Sequence, residues 1–289
     1  MKNRIKKYGL LAAVVILCGG CVFAINKNKD KKEIDNDSLK QNNNLTSVNG
    51  KIADKINPGN NPFCLENLIP TDKDSLIYYD HTYYVIGYNN KHKQAGWVAW
   101  LLTRDMVENK RVKRLNNFRV DERLQCCCST PADYNRSGYD KGHLCPSGDM
   151  TWSKQANSET FLMSNMSPQN QKLNRGRWND LENWTREQAL DNDSLLVITG
   201  PIFDTVLKTI GSNSVSVPVA YFKIIVDISS PTYKTIAFIM RNDNLKEKIF
   251  SYSTSIKEIE HRTKLNFFPK FDSDSLIQAL EHSTNKNNW

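Results

Sequence analysis

The sequence predicts one α+β domain whose sheet is largely antiparallel and flanked by helices. Three observations carry that reading. Strand-like stretches at 83–88 and 96–102 follow one another across a polar Asn-Asn-Lys-His-Lys segment. Two β-rich stretches, 217–227 and 234–240, are separated by Ser-Ser-Pro. Between these pairs, residues 178–190 contain no Gly or Pro and space Trp178, Leu181, Trp184 and Leu190 along a helical face.

Lys2, Arg4, Lys6 and Lys7 precede an apolar run at 10–17 and then Cys18-Gly19-Gly20-Cys21. This is the architecture of a secretory leader. Small residues before Cys21 resemble a bacterial lipoprotein signal, which makes Cys21 the candidate lipidation site. The stretch 8–25 carries no charge and is also at the low end of what spans a bilayer, so a single N-terminal anchor is the alternative. The expectation is an exported chain tethered to a bacterial envelope membrane, with the lipoprotein favoured. Residues 26–61 hold ten Asn and seven Lys with no periodicity. Such a segment buries too little surface to offset its ordering entropy and reads as a flexible tether. The domain is expected over 62–270, with leader 1–25, tether 26–61 and a polar, loosely attached tail at 271–289.

Within the domain, 161–166 is a short apolar run ended by Ser167-Pro168. Residues 195–199 form a buried strand closed by Gly200-Pro201, and 255–263 reads as a helix before Asn266-Phe267-Phe268-Pro269.

Composition excludes several classes. Eleven Tyr, eleven Phe and six Trp in 289 residues can build a core, so full disorder is excluded. No repeat of 20–50 residues appears and only one apolar stretch approaches membrane length, which argues against solenoids and excludes polytopic membrane proteins. The net charge of +8 is concentrated at the start. Residues 1–40 hold nine Lys/Arg against four Asp/Glu, and the remainder 30 against 27, so charge alone says little about partners. Of seven Cys, Cys64, Cys126, Cys127, Cys128 and Cys145 follow the leader. The spacing does not support a zinc site. An oxidising compartment would allow a disulfide joining Cys64 or Cys145 to the triplet, with the pairing left open.

Three clusters carry chemistry. In Asp140-Lys141-Gly142-His143, a His lies close to a carboxylate and a cation, the surroundings of a general base beside an anionic substrate. The second cluster is Ser164-Asn165-Met166-Ser167-Pro168-Gln169. The third runs Leu173-Asn174-Arg175-Gly176-Arg177-Trp178-Asn179-Asp180-Leu181-Glu182. A helix starting near Asn174 would show Asn174, Glu182 and Arg186 within about 120° of one another. The plain alternative is a solvated face with a Glu182–Arg186 pair.

Together, in order, these clusters resemble the DNA/RNA non-specific endonuclease family of the ββα-metal type, over roughly residues 75–270. The resemblance implies that His143 is the general base for water. It implies that Asn174 is the direct protein ligand of Mg²⁺, with Mn²⁺ as the alternative, and that Glu182 holds the ion through water. Asn165 would position His143 or the phosphate, and Arg186 would stabilise phosphate charge. Arg119, with Arg114 as the alternative, would be an upstream phosphate contact. The family's hallmark Arg is Lys141 here, which keeps the charge on the substrate but loses the bidentate fork. DNA and RNA are the implied substrates. A phosphodiester repels hydroxide and has a poor leaving group, so a base plus a cation suits its hydrolysis. The competing expectation is a surface-anchored nucleic-acid-binding protein of the same fold with little turnover.

Overall fold

The computed structural model describes Pro70, Thr71, residues 76–124, 128–229 and 234–269, and Trp289. The leader with Cys18 and Cys21, the tether, Cys64, Cys126, Cys127 and residues 270–288 lie outside the described residues. β1 (Ile77–Asp80), β2 (Val85–Asn89) and β3 (Gln94–Thr103) form a meander, followed by α1 (Arg104–Glu108). Then come β4 (Tyr139–His143), α2 (Lys154–Glu159), β5 (Met166–Asn170), α3 (Gln171–Asn174) and α4 (Arg177–Asn192). The chain continues through β6 (Ser194–Ile202), β7 (Thr209–Ile210), β8 (Val215–Ser216), β9 (Ala220–Asp227), β10 (Lys234–Arg241), β11 (Ser253–Thr254) and α5 (Ile256–Thr263).

Seven strands make one sheet in the order β1-β2-β3-β6-β9-β10-β11, every neighbouring pair antiparallel. The central strands are nearly continuous apolar runs because both faces are covered. Alternation sends Trp100, Val197, Tyr221 and Phe238 to one face, where they meet Trp178 and Leu181 of α4. It sends Trp97, Ile198, Phe222 and Ala237 to the other, against Ile256 and Ile259 of α5 and Phe267. Trp178 is fully buried, and truncating such a side chain costs about 3–5 kcal/mol. Ser255 caps α5, its hydroxyl accepting from the Glu258 N–H at 3.1 Å.

Two expectations need correction. The single helix from Asn174 is in fact two helices. α3 ends at Asn174 and α4 begins at Arg177, with Gly176 between them at φ −114°, ψ −115°. A Cβ there would stand 2.5 Å from the Lys172 carbonyl oxygen, so the break needs glycine. Asn174 therefore does not share a helix with Glu182 and Arg186. Of the two disulfide alternatives, the one through Cys145 is not formed, and the one through Cys64 lies outside the described residues. Cys128 and Cys145 carry free thiols, and Cys145 lies inside the apolar cluster on the α4 side of the sheet. The final residue docks: Trp289 packs on Trp184 at 5.9 Å, and its indole N–H donates to the Thr235 carbonyl. Among the described residues, no helix is long and apolar enough to cross a membrane.

Candidate active site

β4 and β5 form a separate two-stranded ribbon, with Asp140 opposite Gln169 and His143 opposite Met166. Strand alternation decides what each motif residue can reach. Lys141 and His143 share one face, and Asp140 takes the other. Gly142 is required by its neighbour, because a Cβ would sit 2.2 Å from the Gln169 amide oxygen. His143 is only 7% exposed. Its ring meets Phe161 edge-on at 4.9 Å and Phe118 at 5.7 Å, and its Nε2 is enclosed without a hydrogen-bond partner. Burial, then the charge of Arg114, push its pKa down to about 3, so the imidazole is neutral throughout the working range. The nearby carboxylate anticipated for this base is absent, since Asp140 points to the opposite face and binds elsewhere.

Asn165 is fully buried and fully occupied. Its Oδ1 accepts from the Cys145 N–H at 2.8 Å, and its Nδ2 donates to the Cys145 and Thr160 carbonyls, both at 2.9 Å. The Leu144 N–H also donates to the Asn165 carbonyl. Asn165 thus clamps the backbone immediately after His143, with no amide atom left for phosphate.

Asn174 donates from Nδ2 to Asp140 Oδ2 at 2.9 Å. Arg175 binds the same carboxylate with both arms of its guanidinium, at 2.9 and 2.8 Å. Asp140 therefore fixes the Asn174 amide from β4, and Asn174 Oδ1 makes no hydrogen bond among the described residues. Glu182 is half-buried on α4 and likewise has no hydrogen bond among the described residues. Burial pushes its pKa up to about 7, against the charges of Lys223, Arg186 and Arg114, while Asp149 adds to the rise. Arg186, one turn further on, donates to Asp149 Oδ1 at 2.7 Å and to Asn183 Oδ1 at 2.6 Å. Asp149 is 2% exposed and also accepts from the Trp100 indole at 3.1 Å.

The Lys141 ammonium lies 5.2 Å from the ring centre of Phe118 and 5.8 Å from that of Tyr134. The two upstream arginines separate clearly. Arg119 donates to the Ser158 carbonyl at 2.8 Å and its main chain bridges to Phe161 and Met163, so it staples the segment that carries Phe161. The Arg114 guanidinium lies 5.0 Å from the Phe161 ring centre, donates to Ser147 Oγ at 2.7 Å, and its charge acts on both His143 and Glu182. Arg114 is the arginine brought to the site. Sequence reasoning missed Phe118, Phe161 and Asp149, which carry no local signal. It also missed Lys223, whose signal was present: one Lys among the apolar residues of β9.

The donor set suits a hard divalent ion. A free amide oxygen and a half-buried carboxylate are hard oxygen ligands, and among the described residues no cluster of three His, Cys, Asp or Glu occurs.

A neutral, enclosed imidazole, the cationic side chains of Lys141 and Arg114, and the free oxygens of Asn174 and Glu182 are compatible with phosphodiester cleavage. The family model for DNA/RNA non-specific endonuclease matches residues 66–274, and the chain belongs to that family. It is 35% identical over 196 residues to a Nostoc nuclease, covering 64% of this chain and 70% of that one. It is 31% identical to the zebrafish mitochondrial nuclease EXOG, covering 68% and 62%, and 30% identical to human mitochondrial endonuclease G, covering 64% and 67%. A chain in the crystal structure of the EndoG/EndoGI complex superimposes with a TM-score of 0.64 at 30% identity, covering 68% of this chain and 86% of that one. The fold is that of the ββα-metal nucleases, and members of the family are metal-dependent hydrolases of phosphodiester bonds.

Proposed function

We propose that this chain is a Mg²⁺-dependent endonuclease acting on DNA and RNA without sequence preference, with Mn²⁺ as a substitute ion. The observation that carries it is the pairing of an enclosed, uncharged His143 with the free oxygens of Asn174 and Glu182. His143 receives the proton of the attacking water at Nδ1, the ring nitrogen that is not enclosed. Its depressed pKa leaves the ring unprotonated at physiological pH, as proton acceptance requires. Asn165 holds the backbone behind it, and Phe118 and Phe161 fix the ring plane and exclude water from Nε2. Lys141 and Arg114 attract and orient the phosphate. Such contacts read the backbone and not the base edges, which accounts for non-specific cleavage. Arg186, held by Asp149, supplies positive charge on the α4 side. Asn174 would hold the ion directly and Glu182 through water, and the ion would supply charge neutralisation on the phosphate and the leaving oxygen. Incubation of the purified protein with plasmid DNA and with RNA, in Mg²⁺ and in EDTA, tests the reading. Cleavage of both that EDTA abolishes is expected. Binding without cleavage would instead support the nucleic-acid-binding alternative.

We also propose that the enzyme works outside the cytoplasm, tethered to a membrane through acylated Cys21. The supporting features are the basic leader, the apolar run at 10–17 and the Asn/Lys-rich tether. Fatty-acid labelling of cells with and without Cys21→Ala decides it. Loss of label and of membrane retention supports lipidation, whereas retention without label points to an uncleaved anchor at 8–25.

A further inference from the structure

Strand β9 carries a lysine where its pattern calls for an apolar residue. Lys223 sits in Ala220-Tyr221-Phe222-Lys223-Ile224-Ile225-Val226, is 0% exposed, and its Nζ has no hydrogen-bond partner. Nζ lies 5.1 Å from the ring centre of Trp100 on β3 and 4.9 Å from that of Trp178 on α4. Burial pushes its pKa down, and the charges of Glu182 and Asp149 oppose that shift. A buried ammonium is costly to keep, and apolar groups of like volume often replace buried charges with no loss of stability. The apolar side chains of this face form a continuous cluster without it, so packing alone does not call for a cation here.

The site does have a use for it. Of the two carboxylates that act on Lys223, Asp149 is already held by the Trp100 indole and Arg186. Glu182 is the one without a hydrogen bond among the described residues, and Lys223 is the foremost cation acting on it. Trp178 and Glu182 are four residues apart on α4, so the tryptophan that sheathes the ammonium and the carboxylate lie on one helical face. We propose that Lys223 is a positioning residue of the active site, a buried counter-charge sleeved by Trp100 and Trp178 that aims Glu182 toward the metal position. The proposal rests on the reading that Glu182 holds the ion through water.

The test measures Mn²⁺ binding to the full chain by calorimetry without nucleic acid, for wild type, Lys223→Met, Glu182→Gln and the double variant, with thermal melting of each. Lys223→Met is expected to fold with a melting temperature no lower than wild type. It should bind Mn²⁺ about 10- to 100-fold more weakly, the scale of losing outer-shell support. The double variant should bind no more weakly than Glu182→Gln, because the lysine acts through the glutamate. Nuclease activity should then require correspondingly more metal. A Lys223→Met protein that fails to fold or melts lower would show that the charge serves the fold, which overturns the proposal. Unchanged Mn²⁺ binding, or losses that add in the double variant, overturn it too. If Glu182→Gln itself leaves Mn²⁺ binding unchanged, the metal reading fails and takes the proposal with it. If only Lys223→Met is silent, the lysine's role alone is wrong.

Discussion

His143 and Glu182 are held in opposite ways. His143 is packed among Phe118 and Phe161 with no hydrogen bond among the described residues, and its surroundings keep it uncharged. Glu182 sits among Lys223, Arg186, Arg114 and Asp149, where charges of both signs compete. The base half is set by shape and dryness, and the ionic half by counter-charges. Substitutions should therefore fail differently in the two halves, and the largest expected effects come from the base and from the residues that would hold the ion.

Removing the base should cost most. His143→Ala is expected to lower kcat by about 10²- to 10⁴-fold, the range for a lost general base, while DNA affinity in a filter-binding assay barely changes. Near-normal turnover by the purified variant would exclude His143 from proton transfer. In the ionic half, Glu182→Gln should cost about 10- to 100-fold, the scale of lost outer-shell support, and Asn174→Ala, which deletes the direct ligand, at least as much, both expressed as a raised Mg²⁺ requirement. Saturating Mg²⁺ should recover part of the loss for Glu182→Gln and none for His143→Ala. Equal recovery in both would erase the distinction between the halves.

The two halves also differ in how much of them the sequence displayed. His143, Asn174, Glu182 and Arg186 were named as site residues only through the resemblance that the ordered motifs carry, since no single motif specifies a site by itself. The strands were legible as apolar runs, and their antiparallel pairing from the short polar segments that join 83–88 to 96–102 and 217–227 to 234–240. Asp140 was legible as a motif member but not as a partner. Only strand alternation, which turns it from His143 toward Asn174, reveals its role. The break at Gly176 was hidden by a helical pattern that continues on either side of it. Phe118, Phe161 and Asp149 were invisible because tertiary packing alone brings them to the site, from segments with no signature of their own.

The pH profile separates the halves by sign. A His143 pKa near 3 leaves the base neutral at any pH above that, so it contributes no acid limb near neutrality. A Glu182 pKa near 7 means that, without metal, the carboxylate protonates as pH falls through 7 and loses its hold on the ion. The acid limb of kcat/KM should therefore lie near pH 7 at low Mg²⁺ and move about one unit lower as Mg²⁺ is raised, because the ion favours the charged form. Glu182→Gln should remove that metal-dependent movement. A limb near 6.5 that ignores Mg²⁺ would return the titration to the imidazole.

The smallest effects should come where the halves meet the phosphate. Lys141 presents a single ammonium over Phe118 and Tyr134, and an Arg there would keep the cation–π contact while adding a fork for two phosphate oxygens. Lys141→Arg should therefore lower KM by about threefold and leave kcat nearly unchanged, since charge-assisted bonds to the fork are stronger but the base is untouched. Phe118 provides the contrast, because its ring touches both Lys141 and His143. Phe118→Leu keeps an apolar side chain but removes the ring face under the ammonium and the packing beside the imidazole. It should raise KM and lower kcat together, each by about threefold. A change in KM alone would mean that Phe161 is sufficient to hold the base. A change in kcat alone would mean that Tyr134 is sufficient to hold the lysine, and steady-state kinetics on one oligonucleotide distinguishes the two.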